Sequence, residues 1–140
     1  MKRINAIALF TISALAAATG LVAQEPAAKA NIPFNFTVGD TSMPAGEYTI
    51  TASPNTHIVR IQSADRQHAD LALGYRSDPN PKVSPRLVFD RYGDFYFLRR
   101  IESRTTGSLN LEFSMGKAEK GVRTQEAKLQ KGEQILVASR

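Results

Sequence analysis

The side chains that most often perform catalysis or bind metals are scarce in this chain and widely spaced. Its 140 residues include two histidines and no cysteine. The absence of cysteine excludes zinc–thiolate sites, thiol nucleophiles and disulfides. If the chain reverses between Ser63 and Gln67, His57 pairs near Ala72 or Leu73, which separates the two imidazoles by roughly 15 Å. We therefore predict no shared metal site and no bound cofactor.

Hydrolytic chemistry also lacks a recognisable arrangement of residues. The sequence contains no Gly-x-Ser-x-Gly nucleophile turn, no phosphate-binding or dinucleotide-binding glycine pattern, and no calcium loop. Glycosidase carboxylates must converge within about 5–9 Å. Asp90 and Asp94 flank a predicted turn, where Asp94 has a local role as a turn former. We predict that the protein is not an enzyme, and a hydrolase remains the third hypothesis.

Arginines are concentrated on or beside one predicted hairpin. They are Arg86, Arg91, Arg99, Arg100 and Arg104. Strand alternation sends Arg99 and Arg100 to opposite faces, so the two do not grip one carboxylate together. Either these arginines are solvated side chains whose stems cover aromatic neighbours, or they form an anion patch for phosphate or sugar-acid groups.

Aromatic residues offer a second kind of site. A closed barrel of about eight strands holds one small ligand in its interior. The side chains that would line it are Phe34, Phe36, Tyr48, Tyr75, Phe89, Tyr96 and Phe97. The alternative is that the same aromatics form an ordinary hydrophobic core.

The elements that must position these residues are mostly strands, because apolar and polar residues alternate along much of the chain. One such strand covers 32–38, and Pro33 places it at a sheet edge. In the run 71–75, Leu71, Leu73 and Tyr75 share one face. The pair Gly93-Asp94 predicts a two-residue hairpin loop between 86–92 and 95–101.

About seven or eight short strands separated by Pro, Gly and Asn turns predict an all-β fold, mainly an antiparallel β-sandwich or a small barrel. Residues 95–98 are apolar on both faces, which indicates a central strand with a covered outer face. The predicted cover is a helical segment over 117–131, weakened by Gly121 by about 1 kcal/mol. A final strand is predicted over 133–139.

The first 23 residues have the layout of a secretory signal peptide, with Lys2 and Arg3, an uncharged apolar run, and a small-residue exit at Ala23. We expect an exported, soluble protein, periplasmic or secreted, without stable membrane insertion after cleavage. Residues 24–29 are predicted as a flexible lead-in and 30–140 as a single β-rich domain. The formal charge of +5 falls to +3 without Lys2 and Arg3, which does not indicate a nucleic-acid partner.

Three phrases occur together in this chain: IPFNFTVG from Ile32, MPAGEYTI from Met43 and RYGDFYFL from Arg91. The later KAEK from Lys117 accompanies them. This combination resembles a group of small exported bacterial proteins of unknown function. The resemblance implies export and a β-rich fold, and it brings no catalytic residues.

The leading hypothesis is a non-enzymatic, exported protein of the cell envelope with a binding or structural role. Its edge strands, the Pro33 strand and the strand containing Leu136, are predicted to pair with another envelope protein by strand addition. The second hypothesis is a carrier of a small apolar or anionic molecule in the aromatic interior.

Overall fold

A computed structural model describes residues 27–53, 55–102, 109–126 and 133–139 of the chain. In chain order, the elements of this part are β1 Ala27–Ile32, β2 Phe36–Val38, β3 Thr41–Met43, β4 Gly46–Ala52, β5 Ile58–Ser63, β6 Ala69–Arg76, β7 Arg86–Tyr92, β8 Phe95–Glu102, β9 Leu111–Phe113, α1 Lys117–Glu126 and β10 Glu133–Ala138. The prediction of an all-β fold with one helical segment is confirmed.

The boundaries of several predicted elements differ from the observed ones. The strand predicted over 32–38 is divided into β1 and β2, since Pro33 has no amide hydrogen for a ladder. The lead-in predicted as flexible over 24–29 is wrong for its last three residues, because β1 begins at Ala27 and pairs with β4. The described residues contain ten strands, more than the predicted seven or eight, because β1 and β2 are separate and the short strands β3 and β9 add to the count. The predicted signal peptide, residues 24–26 and residues 127–131 of the predicted helix lie outside the described residues.

The strand β6 joins two branches of one sheet. The first branch has the order β1-β4-β5-β6, and the second runs from β6 through β9 to β8, which also pairs with β7. Beyond β7 lies β10, while β2 lies parallel to β8 and carries β3. Cα atoms of the end strands β1 and β10 approach within 8 Å, so the sheet curls round its core and nearly closes.

The core is filled by large apolar side chains from both branches, and burial of each contributes roughly 1.5–3 kcal/mol. Phe36, Tyr48 and Phe89 are the largest of the fully buried side chains. The Tyr48 hydroxyl donates a hydrogen bond to the carbonyl oxygen of Pro44 at 2.6 Å. The buried phenol therefore keeps a polar partner, as burial of a hydroxyl requires.

The β7–β8 hairpin forms as predicted, with Gly93 at a φ of 59° in its two-residue loop. An uninterrupted hairpin with this two-residue loop would place Arg91 opposite Tyr96 and Leu87 opposite Arg100. The first pair is observed, but Leu87 pairs with Ile101. The reason is a β-bulge: the register shifts between Val88 and Phe89. Because Val88 pairs with Arg100 and Phe89 with Leu98, Arg99 is the extra residue. A bulge of this kind re-aims a side chain.

Candidate functional site

The bulged Arg99 is the centre of a buried charge cluster that we define as Asp90, Tyr92, Arg99 and Glu119. Its Nε donates to Asp90 Oδ2 at 2.8 Å, and its Nη2 donates to Glu119 Oε1. Its Nη1 donates to the carbonyl oxygen of Phe113 at 2.8 Å. Tyr92 completes the cluster by donating its hydroxyl to Glu119 Oε1 at 3.3 Å. Two of these contacts, from Arg99 and Tyr92, converge on Glu119 of α1.

Two carboxylates share one guanidinium in this cluster, and the ionisation equilibria reflect that imbalance. Burial raises the pKa of Glu119 above its ordinary value, while the charge of Arg99 opposes that rise. Burial also raises the pKa of the Tyr92 phenol, and the charge of Glu119 adds to the increase. Desolvation lowers the Arg99 pKa, but hydrogen bonds and the carboxylates outweigh it, so the net shift is upward. Arg99 therefore stays protonated.

Helix α1 covers the outer face of β7 and β8, as the two-sided apolar run of β8 predicts. Phe97, which lies on that face, is only 3% exposed, and its ring lies 5.9 Å from that of Tyr92. At the start of the helix, the Ala118 amide donates to Asp40 Oδ1 at 3.0 Å. The cap thus comes from the β2–β3 turn, far away in sequence. The charge cluster and this cap fix α1 in place, which is a structural role.

The predicted anion patch loses its central member to this cluster. Arg99 is occupied by internal carboxylates, and the expectation that it faces away from Arg100 is wrong, because the bulge sends both to the outer face. Arg86 Nε lies 2.6 Å from Glu102 Oε2, and Arg100 Nε lies 3.7 Å from Glu102 Oε1. The Arg91 guanidinium lies 5.5 Å from the Tyr96 ring centre, which agrees with the interpretation that these arginines cover aromatic neighbours. Arg104 lies outside the described residues.

Most of the seven predicted lining aromatics pack on one another. Phe34 stacks on Tyr96 with ring centres 4.0 Å apart and meets Phe89 edge-on at 5.1 Å. Phe36 meets Tyr48 at 5.1 Å and Phe89 at 5.6 Å. Edge-to-face and offset contacts of this kind stabilise a filled core. These residues do not favour the carrier hypothesis, and Tyr75 departs from the group, because it is 50% exposed.

Surface depressions of about 10, 110 and 470 Å³ lie along the described residues. The largest is wide and open, and Tyr48, Ser63, Asp65 and His68 border it. Ser63 Oγ bonds Asp65 Oδ1 and accepts the His68 amide at 3.0 Å. The Ser63 hydrogen bond holds the pKa of Asp65 below its ordinary value. These contacts close the β5–β6 turn, since Ser63 engages the backbone of His68.

The two histidines lie at opposite ends of the β5–β6 pair. The carbonyl oxygen of His57 accepts the amide of Gly74 at 2.8 Å, and that of His68 accepts the amide of Ser63 at 2.8 Å. His57 therefore lies opposite Gly74, slightly beyond its predicted partners. In the part of the chain that the structure describes, no three His, Asp or Glu side chains are grouped to hold a metal ion. Nor does any helix there have the length and apolar character to span a membrane.

A different surface lies on β6, where the shared face of Leu71, Leu73 and Tyr75 is the exposed one, so Tyr75 does not line the interior as predicted. Leu71, Leu73 and Tyr75 point outward and are 67%, 62% and 50% exposed, while Ala72 and the buried Gly74 point inward. The neighbouring residue of β5, Ile58, pairs with Leu73 and is 46% exposed. We call Ile58, Leu71, Leu73 and Tyr75 the outer apolar stripe.

The orientation of β6 is set by Gly74. A Cβ at this position would lie 2.6 Å from Val59 Cγ2 and 3.5 Å from Phe113 Cε1. No larger residue fits there, so the leucines cannot take the inward positions, and a slip by one residue would exchange the two faces. The sequence signal for this surface is the pair of small residues at 72 and 74, which alternate with the outward leucines and tyrosine.

The stripe carries one charged neighbour and one open backbone edge. Arg60, on β5, pairs with Leu71 across the ladder and forms no ion pair with another described residue. Within β6, only Gly74–Arg76 pair with β9. The edge of Ala69–Leu73 that faces away from β5 therefore has no ladder partner among the described residues.

Comparisons of the chain with protein-family models, curated proteins and solved structures yield no match. The resemblance to small exported bacterial proteins stays a prediction.

Proposed function

We propose that this chain is a non-enzymatic binding protein of the cell envelope, exported by its leader, and that it engages another protein through the outer apolar stripe. The observation that supports this proposal most directly is the inverted pattern of β6. A strand that directs glycine and alanine into the core and leucine and tyrosine outward loses hydrophobic stabilisation in isolation. Contiguous exposed apolar groups on a folded protein mark interaction sites.

The remainder of the described molecule supports binding over catalysis. The ionisable groups of the charge cluster bond one another, and Glu119 of α1 is one of them. The aromatic interior is packed ring against ring. The stripe groups four of the large apolar side chains that these internal contacts leave exposed.

The location of the stripe differs from the edges that the sequence favours. β1 and β10 are indeed end strands, but they approach each other closely enough to restrict access to both edges. Leu136 on β10 is 44% exposed and provides a matched comparison with Leu71 and Leu73.

The test uses a photoreactive residue at position 73 of the full chain, produced in bacteria that export it. We expect a discrete adduct with one protein, which disappears when Leu71→Ser is added and persists when Leu136→Ser is added. The captured protein, identified by mass spectrometry and then purified, should bind the Leu71→Ser/Leu73→Ser variant at least about tenfold more weakly than wild type, since two leucine contacts are lost. An adduct that survives Leu71→Ser but not Leu136→Ser would place the partner at β10 and overturn this assignment.

A further inference from the structure

Resting on the proposed function, we infer that the partner is an extended peptide segment with alternating apolar side chains, which adds as a strand to the open edge of β6 at Ala69–Leu73. Strand addition supplies affinity through main-chain hydrogen bonds and specificity through alternate side chains. The new strand would lie beside β6, in line with β9 and next to the outer apolar stripe.

The hydrogen-bond pattern of β6 shows which backbone groups are available. Gly74 donates its amide to His57, and the carbonyl of His68 accepts from Ser63. In an antiparallel ladder such pairs recur at every second residue. Even-numbered residues of β6 therefore face β5, while the N–H and C=O groups of Leu71 face the open edge. Those of Leu73 face the same way and adjoin the end of β9, where Phe113 pairs with Gly74. The side chains of Leu71 and Leu73 belong to the stripe, so one peptide strand engages both features.

The size of the stripe favours a segment over a second folded copy. Its four partly exposed side chains present an area on the order of a few hundred Å². A standard interface between folded proteins buries about 800 Å² on each partner. Main-chain bonds along an added strand make up this shortfall for a peptide, whereas a second copy packed face to face on the stripe lacks them.

Charge indicates the composition of the segment. Arg60 lies on the outer face directly beside Leu71 and has no acidic partner among the described residues. A carboxylate carried on the same face of the added strand lies two strand spacings away, about 10 Å between backbones, which two long side chains can bridge. The inferred segment is therefore apolar at alternate positions and carries an acidic residue within reach of Arg60.

The probe is a short acetylated peptide in which valine alternates with threonine between two glutamates. Titrated into the full chain, it should protect the Leu71 and Leu73 amides from hydrogen exchange. N-methylation of the peptide amides that face β6 should weaken binding at least about tenfold, because each lost main-chain bond is worth about 1 kcal/mol. Equal binding of the methylated peptide, or no binding of either peptide, would overturn the strand-addition inference.

A protein variant provides an independent readout. Leu71→Pro removes an amide that points to the open edge, and strand edges tolerate proline there. Leu71→Ala removes the same side chain and keeps the amide. We expect Leu71→Pro to bind the peptide at least about fivefold more weakly than Leu71→Ala, a difference of about 1 kcal/mol. Equal affinities would show that the edge is not used.

The two proposals fail separately. If the position-73 adduct depends on Leu71 but the peptide tests fail, the stripe binds its partner without strand addition. If the adduct does not depend on the stripe, the proposed function itself is wrong. A concentration-dependent homodimer that Leu71→Pro abolishes would assign the edge to a second copy of the chain and overturn the peptide inference.

Discussion

The outer surface of the sheet has two apolar regions, one covered by the chain itself and one exposed. On β7 and β8, Phe97 and the charge cluster are covered by the chain's own helix α1. On β5 and β6, the outer apolar stripe has no cover among the described residues. The first region is saturated with internal contacts and contributes stability, whereas the second leaves hydrophobic surface and backbone groups available. The contrast teaches that charged residues singled out in a sequence can have a structural role, while exposed leucines form the proposed binding surface.

The largest loss of folding stability is expected when the charge cluster is disrupted. Arg99→Met should destabilise the protein by about 3–5 kcal/mol, because Glu119 and Asp90 lose their buried counter-charge. Urea denaturation monitored by circular dichroism measures the loss. The matched control, Arg60→Met, removes an exposed arginine that forms no ion pair with another described residue, and it should change stability by less than about 0.5 kcal/mol. Equal effects of the two substitutions would contradict the structural role of Arg99.

The pH dependence of the same region sharpens the comparison. The pKa of Glu119 is raised by burial, so the folded state binds its proton more tightly than the unfolded state. Its contribution to stability is therefore fully present below the ordinary glutamate pKa and is lost as pH rises through the raised value. The difference in unfolding free energy between wild type and Glu119→Gln should follow this trend, with a slope of at most about 1.4 kcal/mol per pH unit. A difference that grows in favour of wild type with increasing pH would contradict it.

The attachment of α1 offers a smaller perturbation. Asp40→Ala removes the side chain that caps the Ala118 amide, and loss of such a cap costs about 1 kcal/mol. Thermal unfolding should report a correspondingly lower midpoint. Asp94→Ala, at the exposed hairpin turn, serves as the acidic control. If Asp40→Ala leaves the midpoint unchanged, the cap from the β2–β3 turn does not hold the helix.

The smallest effect on stability is expected at the stripe. Leu71→Ser/Leu73→Ser removes side chains that are already mostly exposed, so the free energy of unfolding should change by less than about 0.5 kcal/mol per site. Denaturant titration of the double variant measures this directly. A loss of several kcal/mol would mean that the stripe belongs to the packed interior and not to a binding surface.

Much of the fold was predictable because its determinants are local. Alternation marked the strands, Gly93-Asp94 marked the hairpin, and the doubly apolar β8 indicated a covered face. Strand boundaries were less accurate, since the exact ends depend on ladder partners distant in sequence. The start of α1 was placed correctly at Lys117 without knowledge of its cap.

The site was not predictable in the same way. The arginines and the aromatic residues were predicted as sites because of their residue types. In the structure, Arg99 bonds Glu119 of α1 and Phe89 packs in the core. The stripe was not predictable because alternation defines two faces of a strand but does not determine which one faces the core. That choice depends on the space opposite each residue, which for Gly74 is filled by Val59 and Phe113.

By itself the sequence determined the all-β character with one helical segment, the tight hairpin turn and the requirement for a cover over β8. These follow from side-chain periodicity and backbone freedom, which act over a few residues. Only the tertiary structure decided that Arg99 is a buried ion-pair partner and that β6 turns its leucines outward. Both outcomes arise where distant strands meet: a β-bulge opposite Val88 redirects one side chain, and a close approach at Gly74 leaves no room for any other orientation.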